Sequence, residues 1–138
     1  MSPAHLTFHH FGLAVRQPEP ARKFLAALGY RLGESVLDPA QNVHWQLATH
    51  TRQPAVEIIW PGGAVGPLSQ LAQRHRSGII YHPCYHTDDL PAARAAWEAA
   101  GLSPVCVSPP QPALLFGGRH VSFYNVEGVG LVEILEES

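Results

Sequence analysis

The stretches AVEIIW (residues 55–60) and GLVEILE (residues 130–136) repeat one pattern, a carboxylate set inside an apolar run. Glu57 is flanked by Val56, Ile58 and Ile59, and Glu133 by Val132, Ile134 and Leu135. Branched apolar residues in short runs favour extended chain. Side chains alternate along a strand, so each glutamate projects opposite its neighbouring valine and isoleucine. Working outward, the same order of elements precedes each run. LTFHHFGLAV (6–15) alternates Phe11, Leu13 and Val15 with His10, Gly12 and Ala14, which predicts a strand. PEPARKFLAALG (18–29) predicts a helix, with prolines at its start, Phe24, Leu25 and Leu28 as its apolar face, and Gly29 as its stop. YRLGESVLD (30–38), NVHWQLAT (42–49) and PAVEIIW (54–60) predict three further strands. GPLSQLAQRHRSG (66–78) predicts a short connecting helix.

The pattern then restarts. IIYHPCYHTDD (79–89) predicts a strand and LPAARAAWEAAG (90–101) a helix that again has an early proline and a closing glycine. LSPVCVS (102–108) predicts a strand, PPQP (109–112) a loop, and the segments around HVSFYN (120–125) and GLVEILE two more strands. One gapless overlay brings His10 onto His82, Ala21 onto Ala93, Arg22 onto Arg94, Ala27 onto Ala99 and Gly29 onto Gly101. A further shift of four residues brings Glu57 onto Glu133. Alanine-rich helices match by chance; His on His and Glu on Glu at strand positions point to a duplicated motif. The expected architecture is α+β, a single domain over 1–138. It holds a βαβββ module at 6–61, a linker helix within 62–78 and a second module at 79–138. The two sheets are expected to curl into an open half-barrel around a central cavity.

Each half therefore has a histidine on its first strand and a glutamate on its last, both expected on the face away from the helix. A lone glutamate in a strand more often faces solvent, and a lone histidine more often has a structural role; the repetition of the pair carries the argument. A buried carboxylate must be paired, protonated or bound to a cation. Two imidazoles and two carboxylates, His10, Glu57, His82 and Glu133, make a four-ligand cage for a divalent metal ion.

Composition excludes other classes. The chain has 138 residues, 46% of them hydrophobic and 14% charged, and a net charge of −2. That balance gives no reason to expect nucleic acid or an anionic membrane as partner. No stretch approaches the ~18 apolar residues of a membrane span, and MSPAHLTFHH has no secretory apolar core. Cys84 and Cys106 lack metal or redox spacing and are expected as free thiols in a reducing cytoplasm. Nine histidines against one lysine is the unusual feature.

The segments HHFGLAV (9–15), VEIIWP (56–61), SGIIYHPCYHTDDLPAA (77–93) and GLVEILE, in that order and spacing, resemble the vicinal oxygen chelate superfamily of glyoxalases, bleomycin-resistance proteins and dioxygenases. The resemblance is closest to methylmalonyl-CoA epimerase-like and glyoxalase-like proteins and runs from Leu6 to Glu136. It implies metal ligands at His10, Glu57, His82 and Glu133, one divalent ion (zinc, cobalt, nickel or manganese ahead of iron), and commonly a homodimer. It implies an isomerase or lyase that stabilises an enolate of a small hydroxy-carbonyl or acyl-thioester substrate while a base moves a proton. Resemblance to the glyoxalase branch implies that Glu57 or Glu133 leaves the metal to act as the base.

One departure stands out. The epimerases carry a proton-transferring glutamate in a segment like NPEQGV; here the segment is DPAQNV (38–43) and the matching residue is Ala40, with Asp38 close by. By expected parity His44, His86, His120 and Tyr124 share the ligand face. His44 and His120 are candidates for the missing proton-transfer group, because imidazole titrates near neutrality. His86, Tyr124 and Arg119 are candidates for substrate binding, Arg119 through its oxyanion-binding fork. Cys84 is expected as a small core residue. Two alternatives accompany this reading: an extradiol-type dioxygenase, disfavoured by a fourth protein ligand, and a non-catalytic antibiotic-binding protein, which needs no such ligand set.

Overall fold

The computed structural model describes residues 5–39, 41–63 and 66–137. It contains eight strands, β1 (Thr7–Ala14), β2 (Arg31–Asp38), β3 (Val43–Thr49), β4 (Ala55–Pro61), β5 (Ile79–Thr87), β6 (Val105–Pro112), β7 (His120–Val126) and β8 (Gly130–Glu136). Three α-helices accompany them, α1 (Glu19–Ala27), α2 (Pro67–Arg74) and α3 (Leu90–Ala99), with a 3₁₀ turn at Leu114–Phe116. The chain divides into two compact units, one of residues 10–81, the other of residues 1–9 with 82–138.

In the first unit β1 runs parallel to β4, and β4 and β2 flank β3 in antiparallel pairs. The register sets Leu13 beside Ile58 and Phe11 beside Val56. That face receives α1: Leu25 packs with Val15, Tyr30, Ala48 and Ile58, and Ala21, Leu13, Val56 and Trp60 border the cluster. Pro20 lies in the first turn of α1, where its missing N–H has no intrahelical partner to lose. Gly29, at φ +96°, reverses the chain beyond the last turn.

The second unit repeats this build. β5 runs parallel to β8, and β8 and β6 flank β7 in antiparallel pairs. Leu90 and Trp97 of α3 pack on Tyr124, Val132 and Ile134, and the Trp97 and Tyr124 rings meet edge to face at 5.3 Å. The Asp89 side chain accepts a hydrogen bond from the Ala92 N–H at 3.0 Å and caps α3. Gly101, at φ +81°, ends the segment as Gly29 does in the first unit.

Two expectations need correction. The sheet is not a curled half-barrel. Its strands follow the linear order β2-β3-β4-β1-β5-β8-β7-β6 in a mixed, open sheet that is neither closed nor strongly curled. Closure requires the outermost strands to find further partners. β6 is poorly equipped for that, because Pro109, Pro110 and Pro112 supply no N–H. The second correction concerns the same residues: PPQP is not a loop but the end of β6, whose pairing with β7 shifts register between Cys106 and Ser108 and again between Ser108 and Gln111. An edge strand tolerates prolines because only one side must be hydrogen-bonded.

Removing the α3 cap with Asp89→Ala is expected to cost about 1 kcal/mol, and emptying the Trp97 site with Trp97→Ala about 3–5 kcal/mol. Urea unfolding checks the ranking; equal midpoints for the two variants contradict this account of the second unit's core.

Candidate functional site

In the first unit the face opposite α1 carries the unusual residue pair. Register sets Gly12 beside Glu57, so His10, Gly12, Ala14, Glu57 and Ile59 share that face. His10 is completely buried and Glu57 is 3% exposed. His10 Nε2 lies 3.7 Å from Glu57 Oε1. Glycine and alanine beside the pair leave room for the imidazole, while Phe11, Leu13, Val56 and Ile58 hold the strands from the other face.

The second unit contains the matching pair. Cys84 is in register with Glu133, so His82, Cys84 and Glu133 share one face. His82 is 1% exposed and Glu133 4% exposed, with His82 Nδ1 at 3.8 Å from Glu133 Oε1. Phe123, opposite Glu133 on β7, places its ring edge to face with His82 at 5.5 Å.

Both N···O separations exceed hydrogen-bond length. They do fall within the span of two ligands of one ion, because metal–nitrogen and metal–oxygen bonds of about 2.0–2.2 Å permit at most roughly 4.2 Å between donors. The chemistry of each donor set, an imidazole nitrogen beside a carboxylate oxygen in a dry setting, fits a divalent cation. Each unit thus contributes half of the set that the sequence singles out.

The other candidates separate by face. His86 keeps the ligand face of β5, where register sets it beside Leu135. Its Nδ1 donates to Glu137 Oε1 at 2.9 Å. His44 takes the opposite face: register pairs it with Trp60, on which its ring stacks at 5.2 Å, and the Arg22 guanidinium lies 5.2 Å from the centre of the same ring. The ligand face of β3 is formed instead by Trp45 and Leu47, in register with Ile59 and Glu57. Tyr124 is likewise a core residue under α3, in register with Val132, and His120, an even number of residues away on β7, falls on that face and is exposed. The expected parity of His44, His120 and Tyr124 is therefore corrected: it took the polar residues of β3 and β7 for the ligand face, which is largely apolar on both strands.

Arg119 donates from Nε to the Glu136 carbonyl at 3.0 Å and is partly buried. Ala40 lies outside the described residues. Asp38 is buried on the Trp45 face of β2, and its Oδ1 accepts from the Gln41 N–H at 3.3 Å. Cys84 is buried and Cys106 exposed, and neither is in a disulfide. Sequence reasoning passed over His9 and Glu137. The doubled histidine at 9–10 was a usable signal for the first; nothing in the local pattern marks the second.

A helix on one face of a four-stranded unit and a buried histidine–carboxylate pair on the other, present twice, define a metal-chelating, duplicated βαβββ class. The chain belongs to the Glyoxalase/Bleomycin resistance protein/Dioxygenase superfamily, whose family model matches residues 9–123. It is 28% identical over 94 residues to an ethylmalonyl-CoA/methylmalonyl-CoA epimerase of Cereibacter sphaeroides, covering 67% of this chain and 69% of that protein. Its fold is similar to the crystal structure of methylmalonyl-CoA epimerase from Mycobacterium tuberculosis, with a TM-score of 0.78 at 16% identity over 100% of this chain and 93% of that one. It is also similar to a Streptomyces coelicolor methylmalonyl-CoA epimerase variant in complex with 2-nitronate-propionyl-CoA, with a TM-score of 0.72 at 16% identity over 96% of this chain and 99% of that one. Among the described residues no helix is long and apolar enough to cross a membrane.

Glu133→Gln and His10→Ala are each expected to weaken divalent-metal affinity more than about tenfold. His75→Ala, at the exposed end of α2, is expected to leave it unchanged. Elemental analysis and metal titration of the three proteins check this; equal affinity in all three contradicts a metal role for the buried pairs.

Proposed function

We propose that this protein is a divalent-metal-dependent epimerase-type isomerase that enolises a small acyl thioester, with His10, Glu57, His82 and Glu133 as the ligands of one ion. The carrying observation is the repetition of a buried histidine–glutamate pair, at 3.7 Å in one unit and 3.8 Å in the other. Burying a carboxylate is costly, and a cation shared with the neighbouring imidazole offsets that cost. The acyl-thioester class is supported by the name of the Cereibacter sphaeroides relative, an ethylmalonyl-CoA/methylmalonyl-CoA epimerase. Glyoxalase-type chemistry on a hydroxy-carbonyl uses the same proton transfer, and the choice between the two rests on that relative.

A bound divalent cation supplies Lewis-acid stabilisation of the negative charge that develops on the substrate carbonyl oxygen. This chain's residues do the rest. The four ligands set the position of the carbonyl. Glu133, or Glu57 by the same logic, accepts the proton from the carbon next to it. Trp45 and Leu47 in the first unit and Phe123 in the second lend their ligand faces an apolar lining, which raises the strength of any charge interaction there. The reading includes a reducing cytoplasm, supported by two cysteines outside any disulfide, and a homodimer, supported by the family resemblance alone.

In deuterated buffer, the purified protein is expected to exchange the α-proton of methylmalonyl-CoA or ethylmalonyl-CoA for deuterium, followed by proton NMR. Chelator treatment is expected to abolish the exchange, and a divalent ion to restore it. Exchange that survives complete metal removal contradicts the proposal, as does the absence of exchange with either thioester.

A further inference from the structure

The second unit holds a histidine–carboxylate pair that the ligand set leaves unused. His86 shares the ligand face of β5 with Cys84 and His82. Its row is one same-face step beyond the row of Cys84 and Glu133, which is about 7 Å along a strand. The 2.9 Å contact from Nδ1 to Glu137 Oε1 assigns the proton to Nδ1, because a carboxylate only accepts. Nε2 then presents a lone pair. Glu137 is not a loose tail residue: its backbone N–H donates to the Thr87 carbonyl at 3.0 Å, which fixes its carboxylate beside the ring. The His9 ring meets His86 edge to face at 5.8 Å, and Phe116 backs His9 at 5.6 Å. The His86 side chain keeps 27% of its surface exposed, so its proton exchanges with bulk water. The groups facing it are therefore one carboxylate, one imidazole and, along its own strand, the Cys84 thiol. A carboxylate that fixes the imidazole tautomer, with the far nitrogen left open, is the arrangement of a working general acid–base.

We propose that His86, oriented by Glu137, is a second proton-transfer group of the site and works beside Glu133. The proposal rests on the enolisation reading. Inversion at a carbon needs one group to remove the proton and another to return one on the other side. Glu133 takes the α-proton and the C–H electron pair moves toward the carbonyl, giving the enolate. Protonated His86 then gives its Nε2 proton to the α-carbon, the enolate electrons form the new C–H bond, and the imidazole becomes neutral. Solvent takes the proton from Glu133 and reprotonates His86, so the net change is exchange of one substrate proton with inversion. In the reverse direction the two residues trade roles. His86 thus supplies, with different chemistry, the function that Ala40 lacks.

The test uses the metal-loaded protein in deuterated buffer with each enantiomer of methylmalonyl-CoA, following exchange by NMR and inversion by optical rotation. His86→Gln is expected to lower inversion about 10²-fold or more, while exchange without inversion persists for the enantiomer handled by Glu133. Glu137→Ala is expected to lower inversion about tenfold. In ¹⁵N-histidine spectra the same variant is expected to lose the Nδ1–H form of His86, a readout independent of turnover. Metal content stays unchanged in both variants. Wild-type inversion rates in both variants overturn the role of His86 and leave the enolisation reading standing. Absence of both exchange and inversion in the wild type overturns the enolisation reading and this proposal with it. A variant that loses exchange of both enantiomers equally, with its metal retained, also overturns it.

Discussion

The structure turns on the burial of a carboxylate beside an imidazole, once in each unit. A buried anion loses its hydration and requires compensation from its surroundings. Glu57 and Glu133 each face a histidine that is itself at most 1% exposed. Such a pair holds together best when a third charge joins it. The rest of each unit serves that arrangement: the helix packs one face of the strands, and the other carries the histidine–carboxylate pair among apolar neighbours such as Leu47 and Leu135. Parallel pairing of β1 with β4, and of β5 with β8, puts the histidine strand directly beside the glutamate strand.

Much of this was legible before any coordinates. The alternation in residues 6–15 and 79–89, the carboxylates inside VEII and VEIL, and the paired proline and glycine marks around α1 and α3 all translate directly into elements. Those signals are local, and local physics sets them. The faces of β3 and β7 were harder. Expected parity sets His44 and His120 on the ligand side, yet a helix-facing strand surface at its margin accepts a stacked or solvent-facing ring. His44 lies on Trp60 there, and Gln46 is held by Arg22 at 2.7 Å and by the Gly33 carbonyl at 2.7 Å. Apolar residues took the ligand face instead. Register with a neighbouring strand decides such questions, and register is a long-range property.

Two further misreadings share that origin. PPQP has turn composition, but as a one-sided edge it stays extended beside β7. The curl expected around the four ligands and from the family resemblance has no counterpart in the linear strand order. Glu137 escaped notice because its partner His86 is 51 residues away in sequence. A contact of that kind leaves no periodic trace.

The prolines of β6 have a consequence beyond the sheet itself. A bare strand border is where unrelated chains most readily add themselves and where fibrils begin. Three of the eight residues of β6 offer no donor, and its two register shifts break the even spacing a visiting strand needs. Yet Val105 and Val107 stand 61% and 55% exposed on this border, as greasy as an aggregation-prone segment. The prolines therefore act as gatekeepers: they let the chain keep an apolar rim without letting that rim zip to another. Replacing them with ordinary β-formers leaves the fold's hydrogen bonds intact and removes its protection against self-templating.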